Sequence, residues 1–177
     1  MAENRRVRMT KRLMKDALLE LMETKPFEKI KVTDVCAAAD VNRSTFYAYY
    51  TDTLALLGEI EDDAIAASPV AAEGESGGEG GFLRDLSDYF EFVRQNERVF
   101  RLLLLRRSSE EFNRRLIDSV MERCRPLAGE GAGRWTYVFC VSGVIGLLRE
   151  WISGGFSLTS REFAGRVFAL CSAAAGA

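Results

Sequence analysis

Histidine is absent from all 177 residues. Its absence removes the commonest general base, and with it every Ser-His or Cys-His nucleophile pair. A zinc site would have to be built from cysteines and carboxylates alone. The four cysteines, Cys36, Cys124, Cys140 and Cys171, are too far apart for a C-x-x-C pair. No metal or other cofactor is therefore expected. Reduced, mostly buried thiols in a cytoplasmic protein are the simplest reading, with a redox-sensing thiol as the alternative. No apolar run reaches the roughly eighteen residues of a membrane span, so no membrane partner is expected. The N-terminus is rich in arginine and lacks the apolar stretch of a secretory signal. Hairpin dipeptides and sustained Val-rich alternation are also missing, which excludes a sheet protein.

The net charge is only −2, which by itself does not suggest a polyanion partner. Its distribution is more informative. Arg5, Arg6, Arg8, Lys11, Arg12 and Lys15 crowd the first turns, whereas residues 61–79 hold Glu61, Asp62, Asp63, Glu73, Glu75 and Glu79 and no lysine or arginine. This asymmetry fits a DNA-facing end joined to a part with a different task. The leader residues Arg5, Arg6, Arg8 and Arg12 are either phosphate- or minor-groove-contacting groups or part of a solvated tail.

Apolar spacing is helical almost throughout. Leu13, Met14, Ala17, Leu18, Leu21 and Met22 form one stripe, with Thr10 as its expected cap and Pro26-Phe27 as its end. Short helices are expected over 33–39 and 43–50, and a longer one over 52–67. The segment 67–81, dominated by Gly, Glu and Ser, reads as a flexible loop. Beyond it, helices are expected from Phe82, over 96–105, from a cap at Ser108 or Ser109 towards Pro126, over 134–153 ended by Gly154-Gly155, and from Thr159 or Ser160 onward. The fold class is all-α. Residues 1–60 form a three-helix head with a helix-turn-helix, 61–81 the end of a connecting helix and the loop, and 82–177 a helical effector-binding and dimerisation domain.

The segment from Thr33 to Tyr47 carries the functional signal. Ala38 and Ala39 permit close packing at a tight turn, where Asp40 tolerates left-handed backbone. Asn42 is placed to cap the next helix by accepting from the Thr45 amide. Val41 and Phe46 are spaced as a hydrophobic staple. Arg43, Ser44, Thr45 and Tyr47 are then left around the exposed start of that helix, as a recognition helix requires. Arg43 suits guanine, and the hydroxyls suit bases or phosphates. The alternative is a capped surface helix with solvated polar groups.

Three stretches give the resemblance: Phe27-Glu28-Lys29-Ile30-Lys31-Val32-Thr33-Asp34-Val35, Ala39-Asp40-Val41-Asn42-Arg43-Ser44-Thr45-Phe46-Tyr47-Ala48-Tyr49-Tyr50 and Asp52-Thr53-Leu54-Ala55-Leu56-Leu57. Residues 7–65 thereby resemble the DNA-binding domain of the TetR family of transcription regulators. The resemblance implies recognition by the third helix, with Arg8, Lys31, Thr33, Asn42, Arg43, Ser44, Thr45, Tyr47 and Tyr49 as the DNA-facing set and Tyr50 packed inside the head. Four positions depart from the family pattern. Asp40 replaces a turn glycine, Thr53 a phosphate-binding lysine, Lys31 a Thr or Ser cap, and Tyr49 a histidine.

The stretch from Tyr137 to Trp151, with Gly154, is similar to the penultimate helix of a branch common in Gram-positive bacteria, some of whose members resemble dihydroxyacetone kinase regulators. The resemblance implies a homodimer formed by the last two helices, and Gly143, Gly146, Leu147, Trp151, Phe163, Val167 and Leu170 are its expected interface. It also implies a pocket for a small hydrophobic effector, for which Tyr89, Phe92, Phe100, Leu103 and Tyr137 are candidates; the plain alternative is that these aromatics only fill the core. The reading that results is a homodimeric repressor, released by an effector from a near-palindromic double-stranded operator. Its rivals are a DNA binder switched by a protein partner or thiol oxidation, and a helical enzyme or carrier with a vestigial head.

Overall fold

The computed structural model describes residues 5–67, 79–107, 110–124 and 134–175. The chain divides into two units at Ala66/Ala67. In the first, α1 (Arg5–Thr24) buries Met14, Ala17, Leu18, Leu19 and Met22. The expected stripe is thus rotated: Leu19 turns inward, and Leu13 remains 46% exposed. Thr10 does not cap α1. Arginine and lysine are good helix formers and nothing upstream breaks the helix, so α1 starts at Arg5 and the Thr10 hydroxyl donates back to the Arg6 carbonyl. The basic leader is therefore helical from Arg5 onward.

A 3₁₀ turn over Phe27–Lys29 follows Pro26 and leads into α2 (Val32–Ala38). The N-cap is Lys31, so α2 starts one residue before the expected 33: the Asp34 carboxylate accepts from the Lys31 amide at 2.9 Å. It also accepts from Lys25 at 2.7 Å, and these two partners hold its pKa below the usual carboxylate range. The turn after α2 is closed by Val41 N–H donating to the Cys36 carbonyl, with Asp40 at φ +52°. This is the left-handed helix end that glycine usually supplies. Next come α3 (Arg43–Tyr47), shorter than expected, and α4 (Thr53–Ala66), where Asp52 accepts from the Ala55 amide. Phe46, Tyr50, Leu56, Leu57 and Ile60 complete the core of this unit.

The second unit opens with α5 (Glu79–Gln95), so 79–81, expected in the loop, are helical. The remainder of the expected loop, together with the Ser108, Ser109 and Pro126 signals, lies outside the described residues. After α5 come α6 (Glu97–Arg101), a π-helical turn over Leu102–Arg107, α7 (Glu110–Cys124), α8 (Arg134–Ser153) and α9 (Ser160–Ala175). Asn96 leads into α6 without capping it; its side-chain amide donates to the Phe92 carbonyl instead. The wide π turn lets three successive leucines, Leu102, Leu103 and Leu104, all face the core. Gly155, at φ +69°, ends α8, and Phe156 follows at φ +58°. The Phe156 ring, edge-on to Trp151 at 4.7 Å, supplies the packing that offsets this uncommon backbone.

At the centre of this unit Phe90 meets Phe163 at 4.6 Å and Trp151 at 5.9 Å, while Trp151 stacks on Phe163 at 4.4 Å. The indole N–H of Trp151 donates to the Leu158 carbonyl. Thr159 caps α9: its hydroxyl accepts from the Glu162 amide, and the Glu162 carboxylate accepts from Thr159 N–H and O–H. Ser160 donates instead to Glu91 of α5, at 2.7 Å.

Candidate nucleic-acid interface

The start of α3 is held by a single oxygen. Asn42 Oδ1 accepts from the Thr45 amide at 2.8 Å, the Thr45 hydroxyl at 2.8 Å and the Ser44 hydroxyl at 2.6 Å. The amide can only donate, so the acceptor is unambiguous and both hydroxyls must donate to it. Arg43 and Tyr47 lie one turn apart, with the guanidinium 5.9 Å from the ring centroid. Tyr47 is half-exposed, and hydrogen bonding to it keeps the Arg43 pKa above its ordinary value. Inward, Phe46 is fully buried, edge-on to Tyr47 and 5.7 Å from the ring of buried Tyr50. Thus α3 is clamped from below, while Arg43, Ser44 and Tyr47 face solvent.

The flanking residues are less uniform. Arg8, Lys31 and Thr33 are exposed, whereas Tyr49 is half-buried. Asn42 is exposed, but its side-chain oxygen is engaged in capping. Lys11 and Lys15 of the basic run are engaged with α4: Lys11 pairs with Glu59 at 3.2 Å, and Lys15 with Glu59 at 2.7 Å and Asp63 at 2.6 Å. Nothing in residue spacing signals this, because the partners lie some fifty positions away in the chain.

Residues 16–60 match the family described as bacterial regulatory proteins of the tetR family, and residues 84–172 match a transcriptional regulator C-terminal region of the same family. The chain belongs to the TetR family. Its fold and family are those of a transcription regulator rather than an enzyme. Solved structures agree on the fold. A TetR transcriptional regulator from Streptococcus agalactiae is 22% identical with a TM-score of 0.75, covering 94% of this chain and 96% of that one. A TetR-family regulator from Syntrophomonas wolfei is 15% identical with a TM-score of 0.69, covering 96% of each chain. The dihydroxyacetone kinase operon activator DhaS is 17% identical with a TM-score of 0.59, covering 93% of this chain and 94% of that one. No curated protein matches. Among the described residues no helix is long and apolar enough to cross a membrane.

In the TetR-type second unit the expected interface residues separate. Trp151, Phe163 and Val167 retain only 4%, 5% and 3% of their surface, so their stripe is filled within the chain. Helix α9 packs against both α5 and α8, which uses this face. Gly143, Gly146 and Leu170 remain exposed and Leu147 partly so; a Cβ added at either glycine would meet nothing within 4 Å. Among the described side chains of α8, exposed large apolar ones are Trp135 at 84%, Phe139 at 67% and Val138 at 45%, which the periodicity did not single out. Of the effector candidates, Tyr89, Phe100 and Leu103 are buried. Phe92 is half-buried, edge-on to Phe100 at 5.9 Å. The Tyr137 side chain lies outside the described residues.

Proposed function

We propose that this chain binds DNA as a homodimer and reads a near-palindromic operator through Arg43, Ser44, Thr45 and Tyr47 in the major groove. The capped, inwardly anchored α3 carries this reading, because its outer side presents a guanidinium, two hydroxyl oxygens and a phenol from a fixed backbone. Arg8, Lys31, Thr33 and Tyr49 flank it as backbone-contacting groups. Exposed apolar surface on α8 supports the dimer: Trp135, Phe139, Gly143 and Gly146 follow helical spacing. The Cys140 thiol lies 3.9 Å from the Cys171 carbonyl, which brings the end of α9, with exposed Leu170, beside this stripe.

The same proposal carries a small hydrophobic effector in the second unit, near Tyr89, Phe92, Phe100 and Leu103. The adjoining π turn supports it, since such windings recur at functional sites. Effector binding shifts the equilibrium between two states of different operator affinity. Repression, with release by the effector, completes the reading. One fold relative is described as an operon activator, so a reporter in a deletion strain decides the sign: expression that rises on deletion supports repression, and expression that falls reverses it. A thiol switch finds less support, because burial raises the Cys36 pKa, and burial together with Cys140 pushes Cys171 up to about 12.

The test is titration of the purified protein against DNA selected from a random library, at two salt concentrations. Selective, salt-sensitive binding is expected. Failure to select any motif overturns the proposal.

A further inference from the structure

Lys11 and Lys15 stand in the basic run of the first helix. In the fold both ammonium groups turn to α4. The Glu59 carboxylate accepts from Lys11 at 3.2 and 3.4 Å and pairs with Lys15 at 2.7 Å. Asp63 holds Lys15 from its other side at 2.6 Å. The Lys11 ammonium also lies 5.8 Å from the centroid of the Tyr50 ring, a cation–π distance. From Tyr50 the contacts continue to Phe46 at 5.7 Å, from Phe46 to Tyr47 at 5.7 Å, and from Tyr47 to Arg43 at 5.9 Å.

We infer that Lys11 and Glu59 are positioning residues of the DNA-reading surface: their ion pair locks α4 to Tyr50 and so fixes Tyr47 and Arg43 through Phe46. This rests on the DNA-binding reading above. The link is physical because its middle members cannot move independently. Phe46 is 0% and Tyr50 4% exposed, and close-packed rings pass on a displacement instead of absorbing it. The charge pattern also makes sense in these terms. Two acidic groups on a DNA-binding head oppose DNA by simple repulsion. Here they are held by lysines, with burial pushing the Glu59 pKa up and the bonds from Lys15 and Lys11 more than reversing this. A carboxylate that orders the reading helix at the cost of some DNA attraction raises selectivity at the expense of bulk affinity.

The experiment titrates the selected operator and an unrelated duplex with full-length wild type, Lys11→Met, Glu59→Gln and the double variant, over a range of salt. Each single variant is expected to lower the ratio of specific to non-specific affinity by about three- to tenfold. The double variant is expected to add little, since both changes break one link. The salt slope of Lys11→Met stays at the wild-type value. Glu59→Gln is the sharper arm: removing a negative charge tightens binding to both duplexes alike if only repulsion matters, and lowers the ratio of specific to non-specific affinity if the carboxylate positions α3. A partly unfolded variant loses both affinities in proportion and leaves the ratio unchanged, so a folding defect is not mistaken for positioning. An unchanged ratio with a salt slope reduced by about 0.9 in Lys11→Met overturns the inference and makes Lys11 a phosphate contact. Tighter binding of both duplexes by Glu59→Gln, with the ratio unchanged, overturns it equally. A wild-type protein that does not discriminate between the duplexes removes the DNA-reading proposal itself, and this inference with it.

Discussion

Asp40 holds a backbone angle, φ +52°, that costs most side-chain-bearing residues energy, and it does so where the chain must reverse between α2 and α3. Aspartate tolerates this conformation better than most, but glycine fits it without strain. Asp40→Gly is therefore expected to stabilise the head by up to about 1 kcal/mol, read as a raised melting temperature with operator affinity unchanged. At Arg43 the expectation concerns recognition. Its guanidinium is exposed and held beside Tyr47, with further N–H groups left to meet guanine. Arg43→Ala is expected to cost about 1–3 kcal/mol of operator binding and to relax preference at one base pair. Fluorescence-polarisation titration against single-base operator variants reads both effects; uniform weakening across all of them would make Arg43 a phosphate contact instead.

At the scale of the element, α3 has only five residues and cannot persist on local hydrogen bonds alone. Asn42 supplies its start and Phe46 its anchor. Asn42→Ala is expected to cost about 1–2 kcal/mol of head stability, at the upper end because three donors lose one acceptor. Chemical denaturation monitored by circular dichroism measures it. In the second unit Glu91 of α5 accepts from Ser160 of α9, and its pKa is held down to about 2 by Arg94, Ser160 and Gln95. A carboxylate depressed in the folded state contributes stability that is complete above its unfolded value and fades as pH falls through the folded one. The contribution is expected to vanish between about pH 4.5 and 2, and Glu91→Gln should flatten the acid limb of the stability curve there. The gain is modest, because the group is accessible to solvent. An acid limb unchanged by the substitution would show that other carboxylates set it.

For the whole molecule, the proposed dimer through the exposed face of α8 is what would bring two heads to one operator. Phe139→Glu places a charge on the most prominent part of that face after Trp135. Sedimentation is expected to show a monomer, with operator affinity reduced on the order of a hundredfold as the linkage between the two heads is lost. A dimer that survives this change uses another surface. The helical class, the helices of the first unit and the capped start of α3 were legible because each depends on neighbours in sequence. Periodicity places Met14, Ala17, Leu18 and Met22 inside, and Asn42 stands the right distance before Thr45 to cap. The first helix was misjudged at its start, since nothing between Arg5 and Thr10 breaks a helix and a distant hydroxyl cannot stop one.

By itself, then, the sequence determined what local chemistry determines: the all-helical chain, the left-handed turn at Asp40, the capped α3 and the polar set around it. Tertiary structure alone decided which apolar stripe meets which. Trp151, Phe163 and Val167 have the spacing of an interface, yet the aromatic surface of α5, Phe90 above all, takes them first. That leaves Trp135 and Phe139 outside. It likewise decided that Lys11 and Lys15 face α4 carboxylates some fifty residues away. Spacing records which residues share a face. Only the packed chain brings a second face against it.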